Sequence, residues 1–241
     1  MFYRNEDYWR KLWRNLSDGD HRYKTEEFYQ KEAKEKLFHL GSGNKLLDFG
    51  CGSADLLVYY HANFNELYGV DFSESMLANA KNRIDNFGIT NITLINADDS
   101  EVWEKIDDQL DIVTNAGVVQ YFTLEQIDRF INNASKHIRD GGKIVLFDVI
   151  DPRTHTLWEL KLFVNHKVVK LRIVGRYLKL LLQRGYRHFK KLPYNHKGNA
   201  FYPGVFESLA NKYMLDYERV SSMYYEYRYH VIFSKREADR E

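Results

Sequence analysis

Three carboxylates and two glycines in this chain of 241 residues stand where they could act together. Asp48 closes a short apolar run, and Gly50 and Gly52 follow it with Cys51 between them. Asp71 ends a second apolar run 23 residues past Asp48, and Asp98 follows a third. Glycines let a backbone turn tightly and lie against a ligand. A helix opening after the turn offers that ligand unpaired N–H groups. A carboxylate at a strand end can accept from both hydroxyls of a ribose. The pattern is a nucleotide-type turn, and Asp55 narrows the ligand. A dinucleotide fingerprint, G-x-G-x-x-G, would place a third glycine there. An acid at that point repels a pyrophosphate. The chain reads instead Asp48-x-Gly50-x-Gly52-x-Ala54, with an acid ahead of the glycines, which suits a ligand carrying positive charge. One such acid alone would be an ordinary turn or cap residue; the ordered set of three points to a site.

Strands and helices must alternate to put these acids side by side. Apolar runs at 45–49, 66–71, 91–96, 110–115 and 143–149 read as five strands. Helices are expected over 24–40, 53–62, 73–86 and 124–138, with Asp140-Gly-Gly142 turning the chain into the fifth strand. Val-, Ile- and Leu-rich strands alternating with helices predict a parallel sheet covered on both faces. Such a sheet binds ligands at the carboxyl ends of its strands, where the strand order reverses. Residues 204–213 read as a helix, and 214–222 and 227–234 as two last strands pairing antiparallel at the sheet edge.

The rhythm breaks at 153–190, which shows no clear strand and reads as one or two basic helices. Residues 153–197 hold twelve Lys and Arg against one acid, Glu159, while the whole chain carries a net charge of only +1. That asymmetry fits a basic cleft with an acidic partner. It equally fits a solvated helical face. The single cysteine, Cys51, gives no intramolecular disulfide and fits a reducing compartment. The first fifteen residues are too charged for a signal peptide. No apolar run approaches the roughly 18 residues of a membrane span. A cytoplasmic protein is expected, with one domain divided as 1–43, 44–150, 151–203 and 204–235. No Cys/His spacing suggests a metal.

LDFGCG (47–52), GVDFSESML (69–77), Ala97-Asp98, DIVTNAGVVQYF (111–122) and RDGGKIV (139–145) together resemble the ordered motifs of the class I S-adenosylmethionine-dependent methyltransferases. The resemblance covers roughly 44–150, and 200–235 more loosely. It departs from the family at Ala54, where a third glycine is common. It implies a doubly wound, Rossmann-like sheet of seven strands, mostly parallel with the last antiparallel, and a basic helical insertion after the fifth strand. The implied cofactor is S-adenosylmethionine, with S-adenosylhomocysteine as product. On that resemblance Asp48 sits near the methionine ammonium, and Gly50, Cys51 and Gly52 let the backbone pass the methionine and ribose. Asp71 holds the ribose hydroxyls, and Phe72 and Met76 flank the adenine. Asp98 accepts from the adenine amino group with Asp99 or Ser100 assisting. Asn115 and Ala116 line the methionine side. Tyr8, with Trp9 and Trp13, belongs to an N-terminal lid, and Tyr23, with Arg22, is a candidate for the methionine carboxylate.

Methyl transfer is an in-line displacement, so orientation supplies much of the rate. A base is needed only where the acceptor is a neutral hydroxyl. His155, just past the fifth strand, is the best-placed histidine for that role, with Tyr121 beside it as a second catalytic candidate. Gln120, Tyr121, Tyr194 and Tyr202 are candidates for the acceptor pocket, and Arg172 and Arg176 for its basic rim. The expected partner is a small acidic acceptor, whether phosphorylated, nucleotide-linked or carboxylated, and possible sugar. A lipid-linked acceptor on an anionic membrane, an RNA or a protein is the alternative, with nucleic acid the least favoured. A catalytically inactive S-adenosylmethionine-binding partner is the reading from outside the enzymes.

Overall fold

In the computed structural model, which describes residues 25–106, 109–159, 163, 164, 167, 168, 178, 182 and 198–236, the acid-ended runs become neighbouring parallel strands. Strand β1 (Gly43–Phe49) lies between β2 (Phe64–Asp71) and β4 (Leu110–Ala116). Strand β3 (Ile92–Asn96) pairs with β2, and β5 (Ile138–Ile150) with β4, all in parallel. A separate antiparallel ribbon joins two-residue strands, β6 (Phe163–Val164) and β7 (Lys167–Val168). Strands β8 (Leu215–Ser221) and β9 (Arg228–Lys235) then complete a seven-stranded sheet in the order β3-β2-β1-β4-β5-β9-β8. Only β9 runs antiparallel to its neighbours β5 and β8. The order reverses between β1 and β4, so Asp48, one residue before the end of β1, lies at the switch point.

Alternation along each strand sends side chains to two cores. Leu47, Phe49, Val113, Ile144 and Leu146 pack under α4 (Val102–Lys105), α5 (Leu124–His137) and α7 (Pro203–Lys212). Leu46, Leu67, Ile112, Val145 and Phe147 pack under α1 (Glu26–Leu40), α2 (Leu57–Tyr60) and α3 (Glu74–Phe87). Helix α5 shows the local logic well. Thr123 and Gln126 form a reciprocal capping box at its start, and Ile127, Phe130, Ile131 and Ala134 make one buried stripe. Among the described residues no helix is long and apolar enough to cross a membrane.

The structure corrects three expectations. The helix expected over 53–62 is a single turn, because Gly52 and Ala54 both take positive φ (55° and 59°) and keep the chain turning. The fifth strand starts at Ile138 rather than after a separate turn, and carries Asp140-Gly-Gly142 within it. After β5 the chain forms α6 (Pro152–Glu159) and then the β6–β7 ribbon, so strand does occur between 153 and 190. Most of the remaining basic segment lies outside the described residues, as do Arg172 and Arg176.

One irregularity matters for the site. Leu146 pairs with Val231 and Val149 with Tyr229, so three steps on β5 match two on β9. The extra residue is accommodated at Asp148, whose φ is 61°. The bulge turns the Asp148 carboxylate toward α1, where it meets Lys36.

Phe130 is fully buried and packs against Phe49, Trp103 and Phe122 with ring centroids 5.1, 5.7 and 5.9 Å away. Phe130→Ala is expected to cost about 3–5 kcal/mol. Urea unfolding should show this as a lower midpoint at unchanged slope.

Candidate active site

The glycine turn is held from two sides. Gly50 has φ 74°, and a Cβ there would lie 2.3 Å from Val118 Cγ2, so no other residue fits. Its N–H donates to the Val70 carbonyl at 2.7 Å, as does that of Cys51 at 3.0 Å. Burial, with Asp71 and Asp48 close by, pushes the Cys51 thiol pKa well up. Gly52 has φ 55°, and a Cβ there would meet nothing within 4 Å. The turn is thus packed at Gly50 and open at Gly52, where a ligand can lie against the backbone.

Asp71 ties the turn to the next strand. Its Oδ2 accepts from Gly52 N–H at 3.0 Å and its Oδ1 from Ser73 N–H at 2.9 Å. Each carboxylate oxygen still has a lone pair to offer, as two ribose hydroxyls would need. Ser73 Oγ in turn caps α3 at Met76 N–H, 3.4 Å away. Met76 is buried with its sulfur 4.0 Å from Ser53 Oγ, and Phe72 is half-buried beside it.

Asp48 is buried, and its Oδ1 has no hydrogen-bond partner. Burial pushes its pKa up to about 7, with Lys36 pulling down and Asp71 pushing further up. Asn115 is also buried; its Oδ1 accepts from Val118 N–H at 3.2 Å while its Nδ2 is unpartnered. Ala116 follows it at the end of β4. An orphaned acceptor, an orphaned donor and an open glycine at one strand-order switch fit the amino-acid end of S-adenosylmethionine.

The two acids after β3 divide. Asp98 Oδ1 accepts from Ser100 N–H, Ser100 Oγ and Glu101 N–H at 2.8, 2.6 and 3.1 Å, so it organises the turn into α4. Asp99, with Ser100 a candidate to assist at the adenine, is buried and pairs with Arg129 of α5, whose Nε lies 3.0 Å from Asp99 Oδ2. The reason is burial. A nearly inaccessible carboxylate needs a cation, and Arg129 supplies it.

On the acceptor side Gln120 is buried, donates to the Gly117 carbonyl at 2.6 Å and meets Arg228 Nη2 at 3.5 Å through its Oε1. Tyr121 is half-buried in the 3-10 turn Val119–Tyr121. His155 sits in the first turn of α6, its N–H bonded to the Asp151 carbonyl at 2.9 Å and its ring 5.5 Å from that of Tyr227. Tyr202, a candidate for the acceptor pocket, is 58% exposed at the N-cap of α7. Tyr8, Tyr23 and Tyr194 lie outside the described residues.

No motif foretold the polar layer beneath these residues. Lys36 pairs with Glu32 at 3.1 Å and Asp148 at 2.9 Å, all three buried. The Asp148 N–H donates to His230 Nδ1 at 3.1 Å, which leaves the ring proton on Nε2, 3.1 Å from Glu35 Oε1. Arg228 donates to the Asp148 carbonyl at 2.9 Å, with Tyr225 and Tyr227 rings each 5.2 Å from its guanidinium. Burial alone would raise Asp148, but Lys36, Arg228 and His230 hold it well below the usual carboxylate range. Among the described residues no group of His, Cys, Asp and Glu is arranged to hold a metal.

Residues 47–144 match the family model described as a methyltransferase domain. This match and the fold support a class I S-adenosylmethionine-dependent methyltransferase domain. Among curated proteins the domain is 29% identical over 135 residues to the Sulfolobus acidocaldarius protein named "Probable cobalt-precorrin-6B C(15)-methyltransferase (decarboxylating)", a match covering 53% of this chain and 66% of that one. It is 25% identical over 136 residues to the demethylmenaquinone methyltransferase of Bacillus mycoides, covering 54% of each. The matches thus span between about half and two thirds of these relatives. An S-adenosylmethionine-dependent methyltransferase from Clostridium acetobutylicum has the same fold, with TM-score 0.60, 13% identity, and 95% of this chain and 98% of that one covered. Magnesium protoporphyrin IX methyltransferase from Synechocystis, solved with S-adenosylhomocysteine, shares it at TM-score 0.57 and 14% identity, covering 95% and 93%.

The ionisation of Asp48 can be read from stability. Its folded pKa is about 7, above its unfolded value of about 3.9. The native state therefore binds more protons between those values, and this group costs stability as pH rises through that window. Asp48→Asn is expected to melt about 5–10 °C above the wild type at pH 7.5, the gap closing toward pH 4. Thermal melts across that range check it.

Proposed function

We propose that the chain transfers the methyl group of S-adenosylmethionine to an oxygen or nitrogen of a small acceptor. The observation that carries this reading is the Asp71–Gly52 junction, where a carboxylate keeps accepting capacity next to a stretch of backbone with nothing over it. The bound cofactor supplies an electrophilic methyl carbon. The protein's part is to orient and to shield. Gly52 lets the backbone lie against the ribose, Asp71 fixes the ribose hydroxyls, and Asp48 receives the positively charged amino-acid end. Fixing both reactants in line is worth several orders of magnitude without covalent chemistry from the protein.

The basic stretch 153–197 supports an acidic acceptor, because it follows β5 directly and carries twelve cations against one acid. The acceptors named for the relatives and structural neighbours differ from one another, so none is carried over. His155 is the proposed base for a hydroxyl acceptor, given its place one turn beyond the end of β5 and its half-buried ring beside Tyr227.

Calorimetric titration with S-adenosylhomocysteine is the direct test. Asp71→Ala removes two hydrogen bonds to a charged acceptor and should weaken binding about 100-fold or more. Unchanged affinity would sink the reading. With an acceptor in hand, His155→Gln is expected to slow turnover about 10²–10⁴-fold while the cofactor's Kd stays put. A matching loss in Kd would move His155 from catalysis to cofactor binding.

A further inference from the structure

Arg228 opens β9 and pairs with Ile150, the last residue of β5. Its Nη1 donates to the Asp148 carbonyl at 2.9 Å, and its Nη2 reaches Gln120 Oε1 only at 3.5 Å. Its Nε is buried and has no hydrogen-bond partner. The Tyr225 and Tyr227 rings each lie 5.2 Å from the guanidinium. Carbonyls and aromatic faces stabilise such a cation without neutralising it. Asp151, whose N–H donates to the Tyr227 carbonyl at 2.9 Å, neutralises two other arginines: Arg153 lies 2.7 Å and Arg219 3.4 Å from its Oδ2. Arg228 has no carboxylate at ion-pair distance among the described residues, and the Asp148 carboxylate is paired with Lys36 at 2.9 Å.

The surroundings of Arg228 are held in place. Gln120 Nε2 donates to the Gly117 carbonyl at 2.6 Å, and the Gln120 carbonyl accepts from Asn199 N–H at 2.6 Å. A Cβ at Gly198 would lie 2.5 Å from that carbonyl, so the glycine lets the chain press on Gln120. With its amide nitrogen engaged, Gln120 presents its oxygen to Arg228. Two residues before it, Val118 stands against Gly50 of the glycine turn. On the other side the Tyr227 ring is 5.5 Å from that of His155. Gln120 and Tyr227 thereby link Arg228 to the cofactor turn and to the proposed base. All of them gather past the carboxyl ends of β4 and β5, where such sheets take ligands.

We propose that Arg228 is a specificity-determining residue that binds an oxyanion of the methyl acceptor, a carboxylate or a phosphate group, through its Nε and Nη2. This rests on the methyltransferase reading above. A buried donor left without an acceptor is costly, and in native proteins it marks the place of a partner. Nη2 carries two N–H groups, so the Gln120 contact leaves one to act with Nε. Together they match the spacing of two oxygens on one carboxylate or phosphate. The acceptor's charge is then read by β9, outside the basic stretch 153–197, and the acceptor is held in the neighbourhood of His155.

The test follows the NMR signal of the Arg228 Nε–H in the full chain saturated with S-adenosylhomocysteine. The probes are benzoate and inorganic phosphate, against benzamide and against chloride at matched ionic strength. The signal should move saturably with benzoate or phosphate and stay in place with benzamide and chloride. No movement with either oxyanion, or an equal movement with benzamide or chloride, overturns the proposal. Arg228→Lys keeps the charge and loses the two-pronged geometry. It should bind the effective oxyanion about tenfold more weakly or worse, while the Kd for S-adenosylhomocysteine stays put. An unchanged oxyanion affinity overturns the proposal. So does a parallel loss of S-adenosylhomocysteine binding, which would give Arg228 to the cofactor's own carboxylate. The signal is assigned through the arginine's own side-chain carbons, so the wild type alone decides the matter where Arg228→Lys fails to fold. Absence of S-adenosylhomocysteine binding to the wild type overturns the methyltransferase reading itself, a distinct result.

Discussion

The chain can leave β1 and enter the site only because residue 50 has no side chain and residue 71 has a carboxylate. Val118 occupies the space where a Cβ at Gly50 would stand, so the first turn is pressed against the loop after β4. Asp71 takes the next free N–H at Gly52 and that of Ser73, two residues past the end of β2. Three strand ends are thereby tied together through one glycine and one acid. The openness over Gly52 follows from that arrangement. The turn is braced from behind and from the side, so its front can stay clear for a ligand.

Much of this was legible from residue types. Five apolar runs ended where five strands end, within a few residues, because parallel strands buried on both faces need continuous Val, Ile and Leu. The acids at their ends were legible for the same reason. What sequence did not carry was which neighbour each polar group would meet. Asp98 and Asp99 look equivalent as text, yet one caps a turn and the other is claimed by Arg129, thirty positions away. The short α2 was hidden because Ala54 takes a backbone conformation that alanine rarely adopts. Helix α1 was found, but not its buried stripe, since Glu32, Glu35 and Lys36 belong by type on a solvated face.

That charged stripe gives the fold a specificity an apolar one would lack. A buried ion pair adds little net stability over a well-packed apolar contact, because desolvation offsets the attraction. Breaking one partner away is costly. Helix α1 can therefore dock on the sheet in one register, where Lys36 meets Asp148 and Glu35 meets His230. An apolar α1 could slide along Phe147 and Ile232, whereas this one is keyed. The key depends on the β5 bulge, which points Asp148 to the α1 face instead of along the strand.

The same bulge bears on how the molecule assembles in time. Helix α1 comes before the sheet in sequence, yet its buried charges meet Asp148 and His230, 112 and 195 positions further on. Contacts of such long sequence separation form late and slowly. Until β5 and β9 are in place, Lys36 and Glu35 lack those partners, and only the apolar residues of α1, such as Ala33 and Leu40, have a core to join. A helix that precedes the sheet is thus locked in register only once β5 and β9 have paired.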